Sequence, residues 1–303
     1  MTDRKKPEYV KPWQQNQDDT LIDVKEVSLL MPFLIQHLKH KNRDNIKALL
    51  RNKQVWINGQ TISQFNHELL PGQQVVIKWK QGAVGELYRN LRIVYEDESI
   101  VVIDKQAGLL SISAGNEHET AYSIMSRHVK LQHPANRIFI VHRLDRDTSG
   151  LMMFAKSENV QSLLQHAWQT NIRERTYTAL VEGSVDKPEG TISPYLYESK
   201  AFIIYSSQDP AKGELAITHF KVLKRGNDFS LLEVNLETGK KNQIRVHMQD
   251  IGHSIAGDKK YGATGNPIGR LGLHASVLAF SHPLSGENLR FISKTPTKFL
   301  RWF

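Results

Sequence analysis

Polar and apolar positions divide the chain into stretches of different character. Residues 1–27 are polar, contain two prolines and predict a loosely ordered tail. From Ser28 the pattern becomes helical. Leu29, Leu30, Phe33, Leu34 and Leu38 recur at helical spacing, and Pro32 suits a first turn. A second helix is predicted in RDNIKALLRNK, with Ile46, Leu49 and Leu50 on its inner face. VWINGQTI then reads as a hairpin turning at Asn58-Gly59, and QVVIKW, after ELLPG, as a further strand. Residues 28–80 thus predict a small domain in the order helix, helix, hairpin, strand. Residues 81–90 (QGAVGELYRN) hold two glycines and little apolar content, as a linker would.

In residues 91–303 strand patterns predominate. RIVYEDESIVVIDK sets apolar runs on both sides of an acidic turn and predicts a hairpin. TAYSIMSRHVKL and ENVQSLLQHAWQ have helical spacing, the second through Val160, Leu163, Leu164 and Ala167. Buried strands are expected at 138–141 and 151–155, and others in RTYTALVEG, THFKVLKR, FSLLEVNLE, NQIRVHM and LGLHASVLAFSH. This excess of strands, several joined by short turns, predicts an α+β domain with a mixed, largely antiparallel sheet. No internal repeat or low-complexity segment interrupts it.

Charge adds a statement about partners. Across 303 residues, 40 basic side chains face 31 acidic ones, a formal net charge of +9. A basic chain meets polyanions, nucleic acid first and anionic membrane second. Residues 39–53 concentrate the excess, with six Lys/Arg and one acid. Arg43, Lys47 and Arg51 recur every four residues, which aligns them on one outer stripe of the second helix. Such a stripe is commonly a solvated face, and its density is what suggests a phosphate-binding one. There are no cysteines, so disulfides, thiolate metal sites and a cysteine nucleophile are excluded. The N-terminus has no apolar signal core, and no apolar run reaches the ~20 residues of a membrane span. A cytoplasmic, soluble protein without a membrane partner is the expectation.

The unusual chemistry lies in HRLDRDTSG, residues 142–150, between the strands at 138–141 and 151–155. It has four readings. One is a polar turn with an aspartate cap. A second is a calcium loop, since Asp145, Asp147, Ser149 and Gly150 fall at positions 1, 3, 5 and 6. Position 12, which should be a bidentate acid, is Lys156, and three nearby cations oppose a metal ion. A third is a glycosidase-like carboxylate pair formed by Asp145 and Asp147. Neighbouring arginines would depress both pKa values where a general acid needs a raised one. The fourth is one ionised aspartate acting on an RNA nucleoside, with Arg143 and Arg146 on phosphates.

The same nine residues, with an apolar strand on each side, closely resemble the signature of the RluA-type RNA pseudouridine synthases. RTYTALVEG resembles that family's second motif and LETGKKNQIRVHMQDIGHSIAGDKKYG its third. RLGLHASVLAFSHPLSGENLRF is similar to its C-terminal strand pair. With GELAITHFKVL these cover nearly all of residues 88–303. RDNIKALLRNKQVWINGQ followed by LLPGQQV resembles the S-four-like RNA-binding module, which the family commonly carries at its N-terminus. The implied architecture is an α+β pseudouridine synthase fold with a mixed, mostly antiparallel central sheet, plus a small α/β S-four-like domain.

The resemblance implies isomerisation of uridine to pseudouridine inside RNA, without metal, nucleotide or redox cofactor, by a monomer. Asp145 matches the catalytic aspartate, as a nucleophile on sugar or base or as a base at C2′. Arg245 matches the arginine that keeps this aspartate ionised. Tyr177 matches the tyrosine that stacks on the uracil and assists removal of the C5 proton. Ile244 would pack against the base. Arg143 and Arg146 would hold RNA, Arg146 filling the gap left by a flipped nucleotide. Arg43, Lys47 and Arg51 would bind phosphates. His142 reads as structural. The third motif departs from the commoner GRTHQIR at Lys240, Lys241 and Asn242, and Arg175 stands where lysine is frequent, which bears on substrate identity. Large-subunit ribosomal RNA is the first expected substrate and transfer RNA the second. The rival class is a catalytically silent RNA-binding or ribosome assembly protein of the same fold.

Overall fold

The computed structural model describes residues 19–303 except 40, 42, 52–53, 59, 79–86, 89, 114, 116–118 and 167–171. The expected tail up to residue 18 and most of the expected linker lie outside the described residues. The chain forms two compact units, Met1–Gly82 and Ala83–Phe303.

In the first unit, helices α1 (Leu30–His37) and α2 (Arg43–Arg51) accompany strands β1 (Thr20–Asp23), β2 (Ser28–Leu29), β3 (Val55–Ile57), β4 (Gln60–Thr61), β5 (Glu68–Leu69) and β6 (Gln74–Ile77). Four of the strands make an antiparallel sheet in the order β1-β6-β3-β4, and β2 pairs with β5. The apolar positions read from the sequence converge on one core: Leu30, Phe33, Leu34, Ile46, Leu50 and Val55 are all buried in it. Asn58 turns the β3–β4 hairpin at φ 51°, a conformation asparagine tolerates better than most residues. Strand β1 falls inside the stretch expected to be tail. Its alternating Leu21 and Ile22 had too little apolar company to be read as a strand, and pairing with β6 supplies the missing half. Arg43 and Lys47 are exposed on α2. The side chain of Arg51 lies outside the described residues.

The second unit is built on one large mixed sheet. It contains β7 (Leu87–Tyr88), β8 (Leu91–Glu96), β9 (Ile100–Lys105), β10 (Phe139–Ile140), β11 (Ser149–Ala155), β12 (Ile172–Glu182) and β13 (Glu189–Ile192). After a separate small sheet of β14 (Tyr195–Glu198), β15 (Ile204–Ser207) and β16 (Glu214–Leu215), it is completed by β17 (Thr218–Arg225), β18 (Phe229–Leu236), β19 (Leu273–Ser281) and β20 (Asn288–Ile292). The main order is β13-β17-β18-β12-β19-β11-β9-β8-β7, with β10 on β11 and β20 on β19. β7 lies within the segment expected to be linker and extends this sheet.

The near-continuous apolar runs of β9 and β11 follow from burial on both faces. Val101, Ile103, Met152 and Phe154 enter one core, together with helix α3 (Ala121–Gln132). Their alternate neighbours Ile100, Val102, Leu151 and Met153 enter another, with helix α4 (Glu158–His166). Helix α3 starts at a reciprocal cap between Thr120 and Ser123, which satisfies two end groups of the helix. β11 and β19 run parallel, whereas their other neighbours are antiparallel. At their junction Gly150 has φ 111°, and a Cβ there would stand 2.2 Å from the Ala275 carbonyl oxygen. The glycine that closes HRLDRDTSG is therefore required for this close approach.

One predicted strand is a helix. NQIRVHM alternates apolar and polar residues and carries two β-branched side chains, so it reads as a strand. It forms helix α5 (Gln243–Asp250), which buries Ile244, His247 and Met248 at helical spacing. Ile244 and Met248 pack with Val181, Val234 and Leu273 from the sheet, and that surface overrides local preference.

Charge is also buried at a distance from this helix. Glu96 is 4% exposed and receives the His128 ring at 2.6 Å, the Lys156 ammonium at 2.6 Å and the Gln132 amide at 2.7 Å. Tyr88 hydroxyl closes the group on the other ring nitrogen of His128. Burial alone would raise the Glu96 carboxyl, but the hydrogen bonds and charges of His128 and Lys156 outweigh it and hold it at about 2.

Candidate active site

HRLDRDTSG occupies the loop between β10 and β11, and its backbone is pinned along its length. Ser111 Oγ donates to the Leu144 carbonyl at 2.6 Å and accepts the Leu144 N–H at 3.1 Å. The Arg146 carbonyl accepts Lys105 Nζ at 3.0 Å and the Gly108 N–H at 2.9 Å. Arg270 donates to the Asp147 carbonyl at 3.5 Å and to Ser149 Oγ at 2.7 Å. His142 Nε2 accepts the Met153 N–H at 3.1 Å, which ties it to the strand. Burial holds its ring at about 3, so it is uncharged at neutral pH.

Lys105 is wholly buried at the end of β9 and also donates to the Leu109 carbonyl at 2.7 Å. Burial, then the charge of Arg270, bring its ammonium down to about 7. It escapes a sequence reading because a lysine ending an apolar run looks like the point where a strand reaches water.

With the backbone secured, the Asp145 side chain is left to other partners. Arg245 on α5 brings Nη1 to 3.4 Å from Asp145 Oδ2, across 100 residues of sequence. That guanidinium is gripped much more tightly by Asp258, with Nε to Oδ2 at 2.6 Å and Nη2 to Oδ1 at 2.7 Å. Asn242 Oδ1 accepts from Arg245 Nη1 at 3.2 Å, and the Tyr261 ring lies 4.8 Å from the guanidinium carbon. Burial disfavours the charge on Arg245, and Asp258 outweighs it, so its pKa is raised. The Asp258 side chain is 1% exposed and the Asp145 side chain 41%. One carboxylate is spent on holding the arginine, and the other is available.

Asn242 is one of the three departures from the commoner motif. It caps α5 in the left-handed region, φ 55°, and donates from Nδ2 to Tyr261 Oη at 3.0 Å. Asp258 and Tyr261 were not singled out from the sequence. GDKKYG, beside the arginine motif, was the available signal: an aspartate three residues before a tyrosine in a short polar turn.

Tyr177 lies on β12 beside Val234 and Ala275, where the register with β19 shifts between Thr176 and Tyr177. Such irregularities re-aim side chains at sites. The ring packs against two apolar clusters, one of them containing Ile244. Burial pushes its phenol to about 12, with Arg175 pulling down and Asp145 pushing further up. Ile244 and Arg245 link the two sides of the site: Tyr177 packs on the cluster that contains Ile244, and Arg245 contacts Asp145. Ile244, expected against a base, is 5% exposed and sits in the core. Arg143 and Arg146 are exposed on the loop that carries Asp145.

Asp145, Tyr177 and Arg245, drawn from three separate motifs, thus gather at one place in the second unit. A family model described as RNA pseudouridylate synthase matches residues 99–250. The Bacillus subtilis protein named uncharacterized RNA pseudouridine synthase YjbO is 36% identical over 247 residues, covering 79% of this chain and 86% of its own. Ribosomal large subunit pseudouridine synthase D of Pseudomonas aeruginosa is 35% identical over 253 residues, covering 76% and 77%. Among solved structures, human RNA pseudouridylate synthase domain containing 4 superposes with a TM-score of 0.56 at 22% identity, over 69% of this chain and 90% of that one, a likeness of fold.

Proposed function

This chain belongs to the RNA pseudouridine synthase family, and we propose that it isomerises uridines of large-subunit ribosomal RNA with Asp145 as the catalytic carboxylate. The supporting observation is the division of labour around Arg245. Asp258 orients the guanidinium and keeps it charged, so Asp145 has a cation at 3.4 Å while its side chain stays open to a substrate. Relatives named for the large ribosomal subunit support the choice of RNA.

In this reading the N1–C1′ bond of uridine breaks, the uracil turns, and C5 bonds to C1′. The C5 proton leaves and N1 gains one, so the reaction is redox-neutral. Asp145 supplies the anion on which the reaction starts, whether at sugar or base. A phenol held at about 12 is uncharged at neutral pH, so Tyr177 offers the uracil a ring surface and a hydrogen bond rather than a phenolate base. Arg143 holds RNA phosphate, Arg146 fills the gap left by the flipped nucleotide, and Ile244 supports the floor on which Tyr177 rests. The first unit acts as an S-four-like RNA-binding module through Arg43, Lys47 and Arg51 on α2.

Tritium release from RNA labelled at uridine C5 tests the proposal, with unmodified large-subunit ribosomal RNA and transfer RNA offered separately. Wild type should release tritium from the ribosomal RNA, and Asp145→Asn should be slower by at least about a thousandfold. Equal release by both would remove Asp145 from the mechanism, and release from transfer RNA alone would reassign the substrate. Binding without release by either protein would favour a silent RNA-binding protein. In the same RNA, Arg43→Ala with Lys47→Ala should flatten the salt dependence of binding, since each lost phosphate contact removes roughly 0.7–0.9 from the slope. An unchanged slope would take α2 out of the interface.

A further inference from the structure

The small sheet β15-β14-β16 stands apart from the main sheet, and its two faces have opposite character. Strand alternation turns Leu196 and Ile204 inward, where they pack with Ala216, Val246 and Tyr261. The register then puts Tyr195, Tyr197, Tyr205 and Leu215 on the outer face: Tyr197 lies opposite Tyr205, and Tyr195 opposite Leu215. Tyr197 and Tyr205 are exposed and stack on each other, centroids 5.9 Å apart and planes 30° apart. At the turn joining β14 to β15, Phe202 is 71% exposed and has φ 58°, an unfavourable conformation for a bulky side chain. Its contact with Lys241 Nζ is a distant one, at 5.9 Å, which leaves most of a large apolar ring in water on such a backbone.

The surroundings favour a polyanion over an apolar partner. Lys200 lies in the same turn, and Lys260 donates to the Phe202 carbonyl at 3.1 Å. Lys241 and Lys240 pair with Glu198 and Glu214, which the register sets on the face opposite the tyrosines, and Lys241 Nζ also lies 5.9 Å from the Phe202 ring at the tip. These are the two lysines by which the third motif departs from its commoner form. Their ion pairs are solvent-exposed and of the kind that exchanges readily for a phosphate. The sheet is also close to the chemistry. The Ile204 N–H donates to Tyr261 Oη at 3.3 Å, and the opposite neighbour of Tyr261 is the Arg245 guanidinium.

We propose that the outer face of this sheet, Tyr197 and Tyr205 with Phe202 at its tip, is a stacking platform for unpaired nucleotides that flank the modified uridine. Exposed aromatic rings on a sheet, with Lys200, Lys241 and Lys260 around its tip, suit the π-faces of bases and tolerate any sequence. The platform adds affinity for single-stranded segments next to the target and takes no part in bond making.

The test uses the full-length protein, a 20-nucleotide unstructured RNA carrying 2-aminopurine, and unmodified large-subunit ribosomal RNA. Tyr197→Ala with Tyr205→Ala should weaken binding of the short RNA roughly ten- to a hundredfold and abolish the change in 2-aminopurine fluorescence. The salt slope should stay unchanged, because phosphate contacts remain. Tyr197→Phe with Tyr205→Phe should bind as wild type does, since stacking needs the ring and not the hydroxyl. On ribosomal RNA the alanine pair should raise KM and leave kcat unchanged. If it unfolds, Phe202→Ala alone carries the test with the same fluorescence readout. Affinity within twofold of wild type in the alanine variants would overturn the proposal, as would equal losses in the phenylalanine pair. A dimer that dissociates in the alanine pair without loss of RNA binding would assign the face to a second copy instead. Because the short RNA is no substrate, failure of the ribosomal RNA assignment would leave its binding result intact.

Discussion

The charge clusters around Glu96 and around Arg245, both in the second unit, differ in how completely they are satisfied. Around Glu96, His128, Lys156, Gln132 and Tyr88 leave the carboxylate enclosed. Around Arg245, Asp258 is equally enclosed, but Asp145 has one long contact and a side chain open to solvent. The first cluster joins β8, α3 and the end of β11 and has no room for a ligand group. The second has spare hydrogen-bonding capacity at one atom group, on a loop whose backbone is fixed by Lys105, Ser111 and Arg270. Buried charge alone is therefore a poor sign of function, because a saturated cluster has nothing left to offer. The useful sign is a charged side chain with capacity to spare, facing water from a backbone that is itself held in place.

The strongest way to break the contrast is Arg245→Met. It leaves Asp258 buried without its partner and should cost roughly 3–5 kcal/mol of stability, together with at least about a hundredfold in kcat. Denaturant unfolding and tritium release measure the two effects separately. A variant that lost activity and kept full stability would show that Asp258 is not what holds the arginine. Glu96→Gln should produce a smaller and one-sided effect, about 2–3 kcal/mol of stability with normal kcat per folded molecule. A fall in kcat at full folding would mean that the enclosed cluster reaches the site after all.

Acid gives the mildest version of the same comparison. The folded pKa of Glu96, about 2, is below the ordinary 4.5, so its contribution is fully present above about 4.5 and fades as pH falls toward 2. Between pH 7 and pH 4 this group should cost the fold about 1 kcal/mol. Glu96→Gln should remove that part of the pH dependence, and its persistence in the variant would point to other carboxylates.

Much of this was legible locally. The apolar runs at 100–103 and 151–155 announce strands covered on both faces, and alternate residues do enter two cores. The polar loop between 142 and 150, its glycine and its aspartate can be read from nine letters, because a tight turn between buried strands restricts which residues fit. The basic excess on α2 needs only helical spacing. In each case the determining forces act between residues a few positions apart, or between a side chain and water.

Other features depended on the assembled molecule. Residues 243–250 carry a strand-like alternation and become a helix because the sheet offers a surface that a helix covers. Asp258 meets Arg245 thirteen residues away, Asp145 meets it a hundred away, and Lys105 reaches under the loop from another strand. The outward tyrosines of the small sheet are distinguished from core tyrosines only by the register of three short strands. Sequence by itself determined the covalent chemistry available and the local propensity of each segment. Tertiary structure decided which charges are paired, which are buried and which are left free, because desolvation and long-range pairing depend on neighbours that the chain brings together only when folded.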